Sequence, residues 1–209
     1  MGFYPLLLEL AGRPCLVVGG GPVGERKVEG LLAVGAVVTV VSPELTPGLS
    51  ALAQAGRITV VPRAYREGDL EGAALVFTAL GDPRATAAVA DEARRRAIWL
   101  NAADDPAHCT FILPAVVRRG ALTISVASGG ATPALTRALR EHLEGALGPE
   151  WAALAELAAD ARRELRASGR TADGETWRRA LADDVRALVA GRRLDEARRE
   201  LRARLAMPV

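Results

Sequence analysis

A glycine-rich turn near the amino end limits what this chain can fold into. Gly19, Gly21 and Gly24 form the spacing G-x-G-x-x-G directly after the apolar run Cys15–Val18 and directly before a helix-like segment. Such glycines permit a tight turn, a close approach of the backbone to a pyrophosphate, and close packing of helix on strand. The pattern predicts dinucleotide binding; the alternative is a turn whose glycines only let a helix pack closely.

Short apolar runs alternate with helix-like segments over the first half of the chain. The predicted strands cover residues 15–18, 37–41, 58–61, 74–77 and 98–100, and the predicted helices cover residues 22–34, 47–55 and 83–96. None of these strands alternates polar with apolar residues, which is typical of parallel strands buried on both faces. The order predicts an α/β Rossmann-like fold, a doubly wound parallel sheet built from right-handed βαβ units.

The pattern changes beyond these units. Phe111–Leu113 and Leu122–Val126 predict a hairpin-like addition around the turn Arg118-Arg119-Gly120, and the Thr132 hydroxyl is expected to cap a helix over the residues that follow, to about residue 147. Residues 150–209 then show three amphipathic helical stripes. Because three short helices are too small to carry a core alone, we expect them to pack on the first domain, on a second subunit, or on both.

Composition excludes several classes of protein. With 27 basic and 25 acidic residues the net charge is +2, too small for a nucleic-acid-binding surface. The two cysteines, Cys15 and Cys109, suit a reducing compartment, and no apolar run approaches the roughly 20 residues that span a bilayer. Met1–Leu10 lacks the features of a signal peptide. We therefore expect a cytoplasmic protein with no nucleic-acid and no membrane partner.

The end of the second strand bears on which dinucleotide binds. A Rossmann strand at this place usually ends in an acidic residue that holds the adenosine ribose, but here the strand leads into Ser42-Pro43-Glu44. Ser42 can hydrogen-bond the ribose, and Glu44 can reach it after the turn at Pro43. No arginine stands there to receive a 2′-phosphate, which favours NAD over NADP, although Arg26 and Lys27 in the first helix weaken that preference.

Two loops carry chemically useful groups. Asp104 and Asp105 follow the fifth strand and precede a proline, where carboxylates act as proton acceptor, metal ligand or turn former. His108 and Cys109 lie nearby, but adjacent ligands without a second spaced pair are poor zinc spacing, so no metal site is predicted. Ser128-Gly129-Gly130 precedes a helix, an arrangement that either binds a carboxylate or is simply a capped loop.

In combination these segments resemble the precorrin-2 dehydrogenase family, which also forms the N-terminal part of bifunctional siroheme synthases. The matching segments agree in order and spacing through about residue 148. They are Tyr4-Pro5-Leu6, Val18–Lys27, Val41–Glu44, Asn101–Pro106, Phe111–Ala115 and Ser128–Pro133. No motif matches in the helical tail, and the methyltransferase part of bifunctional relatives is not expected in this chain.

The resemblance implies an NAD-dependent oxidoreductase that oxidises precorrin-2, a tetrapyrrole, to sirohydrochlorin in siroheme biosynthesis. Some members also act as a lyase that inserts ferrous iron into sirohydrochlorin, and members are homodimers. The family's key acid corresponds to Asp104 rather than Asp105, and we expect it to be the general base. The implied nucleotide contacts are Gly19, Gly20, Gly21, Pro22, Val23, Gly24, Ser42, Pro43 and Glu44, and the substrate contacts are Asn101, Ser128, Gly129 and Gly130.

The changes of pattern along the chain also predict three domains. The predicted domains are a NAD-binding Rossmann domain over residues 1–112, a dimerisation and substrate-loop region over 113–148, and a C-terminal helical domain over 149–209. Arg118, Arg119 and Arg137 are candidates to receive substrate carboxylates. The alternatives are a chelatase that no longer performs the redox step, and a regulatory binding module that senses NAD and needs neither the aspartate loop nor the Ser128 loop.

Overall fold

The amino-terminal half forms the alternating strands and helices that the apolar runs predict. The computed structural model describes residues 2–207. The elements of this half are β1 Pro14–Val18, α1 Pro22–Leu32, β2 Val37–Val41, α2 Pro47–Gln54, β3 Thr59–Val61, β4 Leu75–Thr78, α3 Pro83–Arg95 and β5 Trp99–Ala102. A 3₁₀ turn, Pro106–His108, follows β5. The predicted α/β fold is confirmed.

The five strands form one parallel sheet in the order β3-β2-β1-β4-β5. Successive residues of β1 face opposite sides, and both sides are buried. Val17 packs in the core with Val28 of α1, whereas Val18 packs in a separate core with Val89 of α3. The strand order reverses between β1 and β4, and ligands of such sheets bind outside the carboxyl ends of the strands at that point.

The carboxyl-terminal half is a second compact unit, which begins at Leu113. It opens with an antiparallel hairpin and continues with helices. Its elements are β6 Ala115–Arg119, β7 Leu122–Val126, α4 Pro133–Ala146, α5 Glu150–Ala167, α6 Gly174–Ala180, α7 Asp183–Ala190 and α8 Leu194–Arg204. Within residues 2–207 no helix combines the length and apolar composition needed to cross a bilayer.

The predicted hairpin is present, but its first strand was placed wrongly. Phe111–Leu113 is not a strand, because the chain at its start folds back onto β5 and β4: the Thr110 amide donates to the Leu100 carbonyl at 2.8 Å, and the Phe111 ring lies edge-on to Phe77 with centroids 5.5 Å apart. The strand that pairs with β7 starts at Ala115. Arg118 and Arg119, predicted in the turn, are the last residues of that strand.

The helical tail also differs from its prediction. Four helices, not three, follow α4 in the part of the chain that the structure describes, because the backbone is extended at Ala182 and separates α6 from α7. The expectation that these helices lack a core of their own is wrong as well. One buried cluster within the tail contains residues of all three predicted stripes, among them Leu154, Leu165, Val185 and Leu201.

Candidate functional site

Two glycines of the turn after β1 are required by close packing. Gly19 has φ +113°, and a Cβ at this position would lie 2.4 Å from the carbonyl oxygen of Ala79, which follows β4. A Cβ on Gly24 would lie 2.1 Å from the Gly19 carbonyl oxygen. Both distances are well inside van der Waals contact, so a side chain at either position would push α1 away from the sheet.

Gly20 and Gly21 play different parts. A Cβ on Gly20 would lie 2.2 Å from the Glu44 carbonyl oxygen, and the Gly20 carbonyl accepts a hydrogen bond from the Thr46 amide at 3.0 Å. This glycine therefore joins the turn to the loop after β2. A Cβ on Gly21 would meet no heavy atom within 4 Å, and Gly21 is the N-cap of α1 with no side chain capping it.

The amino end of α1 therefore offers an open cradle. Pro22, the first helical residue, has no N–H, whereas Val23 and Gly24 have amides that find no acceptor inside a helix at these positions. The positive end of the helix dipole favours an anion here. Gly21 leaves the approach clear, so the residues present fit the pyrophosphate of a dinucleotide.

The loop after β2 shapes one side of this cradle. Ser42 is 6% exposed, and its hydroxyl donates to the Glu44 carbonyl oxygen at 2.7 Å. The hydroxyl proton is thus used within the loop, so Ser42 shapes the turn instead of presenting a free donor to a ribose. Pro43 and Glu44 are exposed, which leaves the Glu44 carboxylate as the acidic group at the end of β2.

Two aspartates after β5 have different surroundings. The Asp105 carboxylate lies 2.6 Å from Nδ1 of His108 and is thereby tied into the 3₁₀ turn. Asp104 is exposed and makes no hydrogen bond or ion pair within residues 2–207. Its backbone is left-handed, with φ +58°, a conformation that aspartate tolerates better than most residues. Of the two carboxylates, Asp104 is the one available to a ligand.

The segment after Asp104 is held by side chains that sequence analysis assigned to other roles. Asn101, a predicted substrate contact, is 9% exposed, and its amide nitrogen donates to the Phe111 carbonyl at 3.1 Å. It anchors the returning chain. The Cys109 sulfur accepts from the Ala102 amide at 3.2 Å. Burial raises the pKa of the Cys109 thiol and outweighs the effect of that amide, so the thiol stays neutral at pH 7.

Lys27 belongs to this site and was not predicted there. Its Nζ lies 5.5 Å from the centroid of the Phe77 ring at the end of β4. Burial lowers the pKa of Lys27 and Arg26 lowers it further, while the negative charge of Asp104 raises it. The sequence did hold a signal, because Lys27 is the only lysine beside 26 arginines.

Thr78 was missed as well. It ends β4, next to Val18 of β1 in the register of the sheet, and it is 2% exposed. Its hydroxyl has no hydrogen-bond partner among the described residues. A threonine in a strand is ordinary, so the sequence gives no signal for an unpartnered polar atom at the carboxyl edge.

The Ser128 loop lies in the second unit and begins α4. The Ser128 hydroxyl oxygen accepts from the Thr132 amide at 3.1 Å, and the Thr136 hydroxyl lies 3.1 Å from it. The expected capping by the Thr132 side chain does not occur; the Ser128 hydroxyl instead holds the turn that leads into the helix. Gly129 and Gly130 have φ +63° and +87° and are exposed.

The three candidate arginines for substrate carboxylates are not equivalent. Arg119 donates from Nε to the Leu147 carbonyl at 2.6 Å and also to the Glu144 carbonyl, so it caps the carboxyl end of α4. Arg137 pairs with Glu141 at 2.9 Å on the surface of the same helix. Arg118 is exposed and has no ion pair within the described residues. Only Arg118 keeps its guanidinium free.

No group of three or more histidine, cysteine or acidic side chains within residues 2–207 lies close enough to hold a metal ion. The Asp105–His108 pair is the nearest approach to a ligand set beside Asp104. It supplies two groups, whereas protein zinc sites use three or four.

Comparisons with known proteins agree with this geometry. The model of a family described as putative NAD(P)-binding matches residues 6–115. The siroheme synthase of Methylobacillus flagellatus is 42% identical over 166 residues, covering 79% of this chain and 36% of that protein. The siroheme synthase of Methylococcus capsulatus is 37% identical over 203 residues, covering 96% of this chain and 43% of that protein. The chain thus spans about two-fifths of the length of these curated relatives.

A solved structure supports the fold over nearly the whole chain. "SirC, precorrin-2 dehydrogenase" superposes with a TM-score of 0.75 at 24% identity, covering 95% of this chain and 100% of that one. The family match includes the glycine turn and Asp104, which confirms a nicotinamide dinucleotide as the class of cofactor. The predicted resemblance to siroheme synthases and to the fold of a precorrin-2 dehydrogenase is confirmed, and the chain belongs to this NAD(P)-binding family.

Proposed function

We propose that this protein oxidises precorrin-2 to sirohydrochlorin, with NAD as the electron acceptor and Asp104 as the general base. The observation that carries the proposal is the free Asp104 carboxylate at the sheet edge that also bears the glycine cradle. Asp104 follows β5, the glycine turn follows β1, and only β4 separates these two strands. Relatives that are 36% to 42% identical to this chain are named siroheme synthase. Siroheme is made through this oxidation.

The dinucleotide would be held by the cradle at α1. Amides of Val23 and Gly24 would receive the pyrophosphate, while Gly19 and Gly20 keep the turn close to the sheet. Glu44, exposed at the end of β2, would accept hydrogen bonds from the adenosine ribose, and its negative charge would repel a 2′-phosphate. This favours NAD over NADP. When bound, the dinucleotide supplies the two-electron acceptor for the oxidation.

Asp104 would accept the proton that the tetrapyrrole loses. A general base must come within about 3 Å of that proton, and the exposed Asp104 carboxylate, which has no partner among the described residues, is open to a ligand. Asp105 is less suited because its carboxylate is bound to His108. Within the second unit, Arg118 and the amides of the Ser128 loop are the groups that we propose for binding carboxylates of the substrate. Ser42 and Asn101 contribute through the loops that they hold.

Three finer features complete the proposal. Siroheme contains iron, and because relatives carry the name siroheme synthase, ferrous iron is a proposed second substrate at the same site, inserted into sirohydrochlorin. The protein acts as a homodimer whose contacts come from the second unit, and it works in the cytoplasm. We also assign NAD binding to residues 1–112, dimerisation and the substrate loop to residues 113–148, and a C-terminal helical domain to residues 149–209.

The deciding experiment is an anaerobic incubation with precorrin-2 and NAD, followed by the absorbance spectrum. We expect NAD-dependent conversion to the spectrum of sirohydrochlorin. Asp104→Asn should lower kcat by about 1,000-fold, since general base catalysis contributes roughly 100- to 10,000-fold. Asp105→Asn, the matched control one residue away, should lower kcat by less than about tenfold.

The rival functions give other results in the same assay. A chelatase without redox activity would leave precorrin-2 unchanged and would insert added ferrous iron into sirohydrochlorin in an Asp104-dependent way. An NAD-sensing module would bind NAD, change neither tetrapyrrole and be unaffected by Asp104→Asn. Either pattern would overturn the dehydrogenase proposal.

A further inference from the structure

Lys27 is placed unusually for a charged side chain. It lies on α1 in the second helical turn, is half-buried, and holds its Nζ 5.5 Å from the centroid of the Phe77 ring. Phe77 is 4% exposed and is packed edge-on by Phe111. A cation over a buried ring is attracted by the ring's negative face. The Phe77 ring therefore fixes the position of the ammonium group.

The Lys27 ammonium stands beside the segment that carries Asp104, because Phe77, the ring beneath it, pairs with Asn101 in the register of β4 and β5, three residues before Asp104. The charged and titratable groups that act on this ammonium come from two segments. Arg26 precedes it on α1, and Asp104 and Cys109 belong to the chain after β5. Arg26 carries a like charge, and the Cys109 thiol is neutral because burial raises its pKa. Asp104 is therefore the one opposite charge among these groups.

Asp104, in turn, has little else to restrain it. It is exposed and makes no hydrogen bond or ion pair in the part of the chain that the structure describes. A base that turns freely spends little time in line with the proton that it must accept, and a misplacement of about 1 Å can cost about 100-fold in rate. A fixed cation nearby would limit that freedom.

We propose that Lys27 is a positioning residue, whose ammonium group, fixed over Phe77, is the counter-charge that holds the Asp104 carboxylate ready for proton transfer. This inference rests on the proposed function, in which Asp104 is the general base. It requires charge at position 27 and a stem long enough to cross the Phe77 ring. Arginine supplies both the charge and the length, but its larger, planar guanidinium replaces the compact ammonium group only in part.

The coupling can be measured without any assay of activity. Because Lys27 is the only lysine, reductive methylation with ¹³C-formaldehyde labels one side chain, and an α-amino group is distinguished by its lower pKa, about 8. NMR titration of the intact protein then gives the Lys27 pKa directly. Asp104→Asn should lower that pKa by about half a pH unit, the effect of removing a partly solvated opposite charge. Arg26→Met should move it upward. An unchanged Lys27 pKa in Asp104→Asn would overturn the proposal.

Kinetics then separate positioning from ligand binding. Lys27→Met keeps an apolar stem over Phe77, and we expect kcat to fall about 10- to 100-fold with the KM for precorrin-2 and the Kd for NAD nearly unchanged. Lys27→Arg should recover part of the lost kcat. The matched control is Arg26→Met, which removes the same charge from an exposed neighbour and should leave kcat at the wild-type value. A raised KM or Kd with unchanged kcat would assign Lys27 to a ligand and refute a positioning role.

The two measurements fail separately. If the wild-type protein does not oxidise precorrin-2, the proposed function fails, while the titration still reports whether Asp104 and Lys27 interact. If Lys27→Met does not fold, the titration of Asp104→Asn and the kinetics of Lys27→Arg still decide the proposal, since both proteins keep a positive charge over Phe77.

Discussion

At the scale of single residues, the four glycines after β1 should respond differently to alanine. In Gly21→Ala the new Cβ stands in open space, so the free energy of unfolding should change by less than about 1 kcal/mol, as expected at an N-cap. The same methyl group would occupy the approach to the cradle, and we expect the Kd for NAD to rise at least about tenfold. Titration calorimetry gives the Kd, and urea denaturation gives the stability.

Gly24→Ala is the control with the opposite result. Its Cβ would lie 2.1 Å from the Gly19 carbonyl oxygen, so the protein should lose about 3 kcal/mol of stability. If Gly21→Ala binds NAD as tightly as the wild type does, the pyrophosphate does not lie over Gly21 and the cradle is wrongly placed.

Residue roles were predicted best where backbone alone defines them. Gly19 and Gly24 were assigned from spacing, and the structure shows the close contacts that require them. Ser42 was predicted as a ligand contact from its position and Asn101 from the family resemblance, yet each donates a hydrogen bond to a backbone carbonyl of this protein. A sequence shows that a polar side chain stands near a site, but not whether its hydrogen bonds are already used.

At the scale of elements, a buried carboxylate fastens the crossover between β3 and β4 to α3. Glu92 is 1% exposed, accepts a hydrogen bond from the Gly68 amide at 3.0 Å and pairs with Arg96 at 2.7 Å, and the Tyr65 hydroxyl donates to it. Burial alone would raise the pKa of Glu92, but these donors outweigh it and hold the pKa below 4.5.

The lowered pKa of Glu92 determines how the stability of the protein depends on pH. A carboxylate with a lower pKa in the folded state stabilises the fold above its unfolded value, and that contribution is lost as the pH falls through the folded value. Glu92→Gln should therefore cost about 3 kcal/mol at pH 7 and show a smaller loss of stability than the wild type between pH 5 and pH 2, in urea denaturation at each pH. Glu67→Gln, an exposed carboxylate paired with Arg95, should cost less than about 1 kcal/mol. Equal pH slopes for Glu92→Gln and wild type would contradict this account.

Element boundaries were predictable where one periodicity held and failed where two met. The parallel strands lie within one or two residues of their predictions, because each is built around a short apolar run, and those of β1 and β4 are buried on both faces. The stripe from Trp177 to Leu188 was interpreted as one helix, since its members all face the same core across the break at Ala182. Phe111 packs on Phe77, and the apolar run that it begins does not pair with β7.

At the scale of the whole molecule, the second unit carries apolar side chains that its own core does not cover. Leu135 and Leu139 lie one turn apart on α4 and are 55% and 43% exposed, and no residue of α4 is buried. Neighbouring apolar groups left on a surface favour association. In the proposed homodimer this face of α4 is covered by a second copy of the chain.

The oligomeric state tests that proposal. We expect the wild type to sediment with the mass of two chains, and the double variant Leu135→Arg, Leu139→Arg to sediment with the mass of one, because paired charges at an apolar contact are left without partners. Arg137→Ala changes the same helix at a side chain that is 79% exposed, so it should leave the dimer intact. Circular dichroism establishes that each variant is folded. If the folded double variant still sediments as a dimer, the interface does not involve this face of α4, and the assignment of dimer contacts to this helix is wrong.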